Sequence, residues 1–146
     1  ALGQALGGPV IEVVAKATGY ALLFAGDVLF QGGHYKEAVE SYAKLLAQEE
    51  PKALLPLALG GSVISQEAAG QCPQAQEGAE RFLQTYADHF LAPQVQASIA
   101  RCQEAAGSAD QAKTTWQKIA LQYPESAWAA EAQTRLQPPA PAPAKK

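Results

Sequence analysis

From about Gly19 onward, apolar residues recur at helical spacing in blocks of about fourteen, and short polar stretches carrying glycine separate the blocks. The breaks are Gln31-Gly32-Gly33-His34, Gly70-Gln71-Cys72-Pro73 and Gly107-Ser108-Ala109-Asp110. A glycine after the first helix of each pair suits a left-handed C-cap. Ser108 or Asp110 offers an oxygen to cap the helix that follows. The pattern predicts three units, each a helix, a turn and a second helix. Before Gly19 the pattern is weaker: Gly7-Gly8-Pro9 precedes Val10-Ile11-Glu12-Val13-Val14. A loop leading into a short helix is expected over Ala1 to Thr18, with a strand at Val10 to Val14 as the alternative.

The units are copies of one another. Gln66-Glu67-Ala68-Ala69-Gly70 recurs as Gln103-Glu104-Ala105-Ala106-Gly107, displaced by 37 residues, and Gln74-Ala75 and Tyr86 return as Gln111-Ala112 and Tyr123 at the same step. One step back from Ala75 lies Ala38, within Tyr35-Lys36-Glu37-Ala38-Val39-Glu40-Ser41-Tyr42. Superposed, the first helices align Gly26, Val63 and Ala100, and the second helices align Ala38, Ala75 and Ala112. Tyr42, Ala79 and Trp116 come next, then Leu45, Phe82 and Ile119. Small residues let helix backbones approach and large ones fill the adjacent groove. Val63 and Ala79 invert that order, so the middle unit is expected to be the least regular.

This order of small and large positions resembles the tetratricopeptide repeat, whose units carry a small residue in each helix, an aromatic in the second and often a proline at the end. Pro51 and Pro124 approximate the last feature, and the middle unit has Asp88 nearby instead. The step of 37 is longer than the family's usual repeat, which implies longer connections. The segment from Tyr123 to Leu136 is similar to the Tyr-Pro-x-Ser ending of bacterial extracytoplasmic tetratricopeptide proteins, among them envelope lipoproteins and membrane-anchored periplasmic subunits. The resemblance implies an all-α, right-handed superhelix over residues 19–136, with units 19–55, 56–92 and 93–125. A capping helix over 126–136 completes it, started by Ser126 after Pro124. It also implies a periplasmic or other extracytoplasmic location. Residues 1–18 form a leader segment, and Gln137 to Lys146, almost wholly proline, alanine and lysine, reads as a disordered spacer.

Composition narrows the function. With 48% hydrophobic and 17% charged residues in 146, the chain has material for one domain with a real core. The formal net charge of −3 provides no basic field for a phosphate backbone, which argues against nucleic acid as a partner. The longest apolar run, Ala53 to Ile64, is broken by Pro56, Gly60 and Gly61 and is too short to span a bilayer. The sequence has no methionine, which points to a lost signal peptide or membrane anchor, or to trimming. Membrane association is then expected only through such an anchor or through a partner.

Candidate chemistry is sparse. Cys72 and Cys102 fall at the same end of the stack, where either a disulfide or two buried thiols would fit. His34 and His89 lack ligand-spaced companions, so no metal or other cofactor is expected. Ser62, Ser65 and Ser98 lie in helical patterns without a nucleophile elbow, and Glu49-Glu50 reads as a solvated helix end, so no enzyme is expected. What the resemblance implies instead is a concave groove for a protein or peptide partner. Its positions fall on Tyr20, Leu23, Asp27, Phe30 and Gln31 in the first unit, Leu57, Ile64 and Glu67 in the second, and Gln94, Arg101 and Glu104 in the third. Such a groove is apolar at one end and charged at the other, which suits an extended peptide or partner helix. The alternatives are that these residues merely face solvent, or that the domain is a structural subunit of a membrane assembly held through its outer face.

Overall fold

A computed structural model describes the backbone of residues 2–138 and 143, with side chains from Pro9 onward in that range. The 37-residue step of the sequence reappears in the helix starts. The helices are α1 (Leu2–Gln31), α2 (Tyr35–Gln48), α3 (Leu55–Ala68), α4 (Cys72–Tyr86), α5 (Ala92–Ala105), α6 (Ala109–Gln122) and α7 (Ala127–Leu136), with a 3-10 turn at Lys52–Leu54 before α3. No strand occurs among the described residues. Each turn inside a pair has the same construction. Gly33, Gly70 and Gly107 take φ of 81°, 76° and 78°, which an L side chain rarely adopts. The amides that follow close the helix ends, as His34 N donates to Leu29 O and Gln71 N to Gln66 O.

Two local expectations are corrected. Ser108 stands at the N-cap of α6 but its side chain makes no capping bond, because its ψ of 64° is outside the extended region that aims the oxygen at the next amides. Ser126, with ψ of 153°, does accept from Ala129 N at 3.2 Å. The leader is neither a loop and short helix nor a strand. It is the first half of α1, which runs unbroken through Pro9. Glu12, Ala15 and Lys16 keep the helical phase into Gly19, and no strand among the described residues would pair with Val10 to Val14. This helix also corrects the search for apolar spans: Pro9–Gln31, 23 residues, is long and apolar enough by length and composition to cross a membrane, and only 11% of its 18-residue apolar window is buried. The segment Gln137 to Lys146 lies for the most part outside the described residues.

Successive helices pack against each other throughout, and the backbones of the inner helices α1, α3, α5 and α7 also approach closely in sequence, whereas those of α2, α4 and α6 do not. Contact on one layer and separation on the other bends the stack toward the inner layer. The core lies between the layers. All twelve superposed positions are buried, from Gly26, Val63 and Ala100 to Leu45, Phe82 and Ile119. The middle unit is regular after all, because its volumes are exchanged rather than lost. Val63 is large on the first helix, and Gly78 on the second makes room, since a Cβ there would meet Val63 Cγ2 at 3.0 Å. Cys72 and Cys102 are joined in a disulfide, with their Cα atoms 5.4 Å apart, tying α4 to α5.

Candidate functional site

The concave face has two halves of different chemistry. At the first half, α1 and α2 meet α3 around Tyr42. Its ring fills the space that side chains at Gly26 and Gly61 would take, where a Cβ would come within 2.5 Å and 2.7 Å of ring carbons. Two glycines on different inner helices thus admit an aromatic from the outer layer to the groove floor. Beside it opens a cavity of about 280 Å³ lined by Leu23, Asp27, Phe30, Tyr42, Leu57, Gly61, Ile64, Leu91 and Gln94. Tyr42 Oη donates to Asp27 Oδ1 at 2.6 Å. Burial, then the hydrogen bond and charge of Asp27, push the Tyr42 hydroxyl well above the usual tyrosine range, so it stays a donor.

The second half is charged and internally paired. Glu67 on α3 accepts from Ser98 Oγ at 2.5 Å and from Arg101 Nη2 at 3.0 Å, with Arg101 Nε closing a bidentate pair. Burial opposes the charge on Arg101, but Glu67 first, with Glu131 and Glu104, outweighs it and raises the pKa. The guanidinium lies 5.3 Å from the Trp128 ring centroid, a cation–π contact with α7. Arg135, also from α7, pairs with Glu104 and lies 5.4 Å from the Trp116 centroid, while Trp116 Nε1 donates to Glu104 Oε1 at 2.8 Å. Helix α7 therefore seals this face with its own charges.

The groove residues chosen from sequence divide accordingly. Leu23, Asp27, Phe30, Leu57, Ile64 and Gln94 come together in the cavity. Glu67, Arg101 and Glu104 belong to the paired network. Tyr20 is half exposed on a row with Phe24 and Val28, outside the cavity, and Gln31 is exposed at the end of α1. Sequence reasoning missed Tyr42, Gly61 and Leu91. Tyr42 sits on a second helix, where the repeat assigns packing, and only the pairing of Gly26 with Gly61 signals that its ring reaches through. The remaining candidates have structural surroundings. Ser65 Oγ donates to Gly61 O, Ser98 to Glu67, and His89 stacks on Phe90 with ring centroids 4.5 Å apart. His89 thus lies among aromatics. No group of three metal-ligating side chains occurs among the described residues.

A family model, the tetratricopeptide repeat, matches residues 98–126, which hold the end of α5, the turn and α6. Among solved structures, the chain is similar to the second tetratricopeptide domain of the human RPAP3 protein, determined in complex with the HSP70 peptide SGPTIEEVD. The match has a TM-score of 0.64 and covers 81% of this chain and 97% of that one. This is the tetratricopeptide fold. At 14% sequence identity the likeness speaks for the fold alone. No curated protein matches the chain. In this fold the three helix pairs are α1–α2, α3–α4 and α5–α6, followed by α7.

Proposed function

We propose that the domain is a protein–protein interaction scaffold, and not an enzyme, which takes a peptide or partner helix into the apolar half of its concave face. The observation that carries this reading is the cavity between α1 and α3. It is an open, mostly apolar space with one carboxylate and one amide at its edge, the arrangement that accepts a side chain and fixes its direction. The neighbour of the same fold was determined with a peptide bound, which supports the class of partner. The site belongs in a bacterial cell-envelope complex. Two features support that: the disulfide, which persists in oxidising compartments, and the Tyr-Pro-x-Ser segment at Tyr123 to Ser126.

A specific observation favours a second reading, a structural subunit held in a membrane assembly. Val10, Ile11, Val13, Val14, Phe24 and Val28 are exposed along α1, outside the cavity. Paired affinity captures separate the two. A partner retained by the parent domain and lost on Phe30→Ala or Ile64→Glu supports the groove. One retained by those variants but lost on Val14→Glu with Phe24→Glu moves the contact to α1.

A further inference from the structure

Asp27 is the only fully charged group lining the cavity, and its second oxygen is uncommitted. Oδ1 accepts the Tyr42 hydroxyl, and no other hydrogen bond or ion pair to the carboxylate occurs among the described residues. Because Tyr42 keeps its proton, it holds the carboxylate in place without cancelling its charge. The cations elsewhere on the face are already engaged. Arg101 is held by Glu67 and Trp128, and Arg135 by Glu104 and Trp116. Lys16, on the same helix about 16 Å away along its axis, lies with Glu12 and Glu50 around a separate cavity. Among the described residues, an incoming carboxylate would therefore meet an anion with no free cation beside it, while an incoming ammonium or guanidinium would meet one open carboxylate oxygen at the rim of an apolar space.

On the reading of the cavity as the partner site, we infer that its occupant is a peptide segment presenting a branched or aromatic apolar side chain next to Lys or Arg. The apolar group enters between Leu23, Phe30, Leu57 and Ile64, and the cation reaches Asp27 Oδ2. This is the reverse of the acidic peptide SGPTIEEVD bound by the neighbour of like fold. The preference comes from this chain's charges and not from the architecture the two share.

The test uses the domain and three labelled peptides, SGPTIEEVD and its variants with both glutamates replaced by lysine, SGPTIKKVD, or by glutamine, SGPTIQQVD, compared by fluorescence anisotropy at low salt. The expected order of affinity is Lys, Gln, Glu, with at least tenfold between the extremes. Asp27→Asn should collapse that spread with a melting temperature close to the parent's, because its amide oxygen can still accept from the Tyr42 hydroxyl, and Asp27→Lys, which removes that acceptor, should invert the order in the protein that remains folded. Equal or tighter binding of SGPTIEEVD, with Phe30→Ala weakening it, overturns the charge preference and leaves the groove reading standing. Failure of Phe30→Ala to weaken the tightest peptide, or no binding of any peptide up to millimolar concentration, overturns both.

Discussion

The first and third units are copies by sequence step, yet their inner faces end in opposite conditions. Around the third unit the charges are spent internally: Glu67 of α3 with Arg101 of α5, and Glu104 of α5 with Arg135 of α7, which lies across α5, each arginine against a tryptophan. In the first unit no described residue lies across α1, and the face keeps an apolar cavity and an unpaired carboxylate. A repeat stack buries its hydrophobic surface only where a neighbour covers it. The difference therefore separates the end that is finished from the end that has surface to give. Polar and ionic contacts also carry different weight at the two ends, because those at the third unit position α7 and those at the first are open to a ligand.

The comparison breaks most visibly at the aromatics that occupy equivalent positions in the two units. Trp116→Ala should cost about 3–5 kcal/mol in denaturant unfolding, as expected for a buried large side chain, and leave affinity for a groove ligand intact while the protein is folded. Tyr42→Ala should lower both stability and affinity, since Tyr42 is core and cavity floor together. A Trp116 variant that binds less tightly while remaining folded would show that the α6–α7 end contributes to the site.

Next in size is the covalent tie. Replacing Cys72 and Cys102 by Ala together should cost about 3–4 kcal/mol from the loop between them on the chain-entropy account. Thermal melts of oxidised, reduced and Ala-substituted protein check it, and coincident melts would remove the bridge from the stability of the middle unit.

Paired substitutions then sharpen the contrast itself. Arg101→Ala should cost about 1–3 kcal/mol of stability by leaving the half-buried Glu67 without its charged donor, with affinity unchanged. Phe30→Ala should reduce ligand affinity by about tenfold to a hundredfold, consistent with roughly 1.5–3 kcal/mol of lost apolar burial. Its effect on melting should be smaller than that of Trp116→Ala, because Phe30 is only partly buried.

The smallest effects lie at the exposed pair and at high pH. Arg135→Ala should cost below about 1 kcal/mol and vanish at high salt, because both side chains are about a third exposed. The raised Tyr42 pKa has a definite sign. The unfolded hydroxyl ionises near its ordinary value while the folded one holds its proton, so the stability it confers is complete below that value and is lost as the pH rises beyond it. A Tyr42→Phe variant should therefore lose less stability than the parent between about pH 9 and pH 11. Parallel curves would remove the Tyr42–Asp27 contact from the account.

Much of the architecture was legible because a repeat writes its packing three times. The step of 37 residues located the turn glycines and all twelve core positions, which no single unit would have disclosed. What escaped was information that lives between units. Val63 looked too large until Gly78, on the facing helix, was seen to give it room. Tyr42 looked like packing until Gly26 and Gly61 were seen to let its ring reach the groove floor. The apolar character of α1 was missed because unbroken runs were counted. Glu12, Lys16 and Asp27 interrupt such runs without making the helix polar over its length. The charged half of the groove was visible as residue types, but its self-pairing depends on how α3 meets α5 and where α7 lands.

The central claim is that partner binding is confined to the apolar cavity where α1, α3 and the start of α5 meet, and a titration read at single residues tests it most directly. Backbone amide resonances of the isotope-labelled domain would be followed as partner is added. The account predicts that the largest shifts cluster at Leu23, Asp27, Phe30, Ile64 and Gln94, with α7 and Arg101 little changed. Shifts concentrated on α5 and α7, or along Val10 to Val14 with the cavity silent, would contradict it.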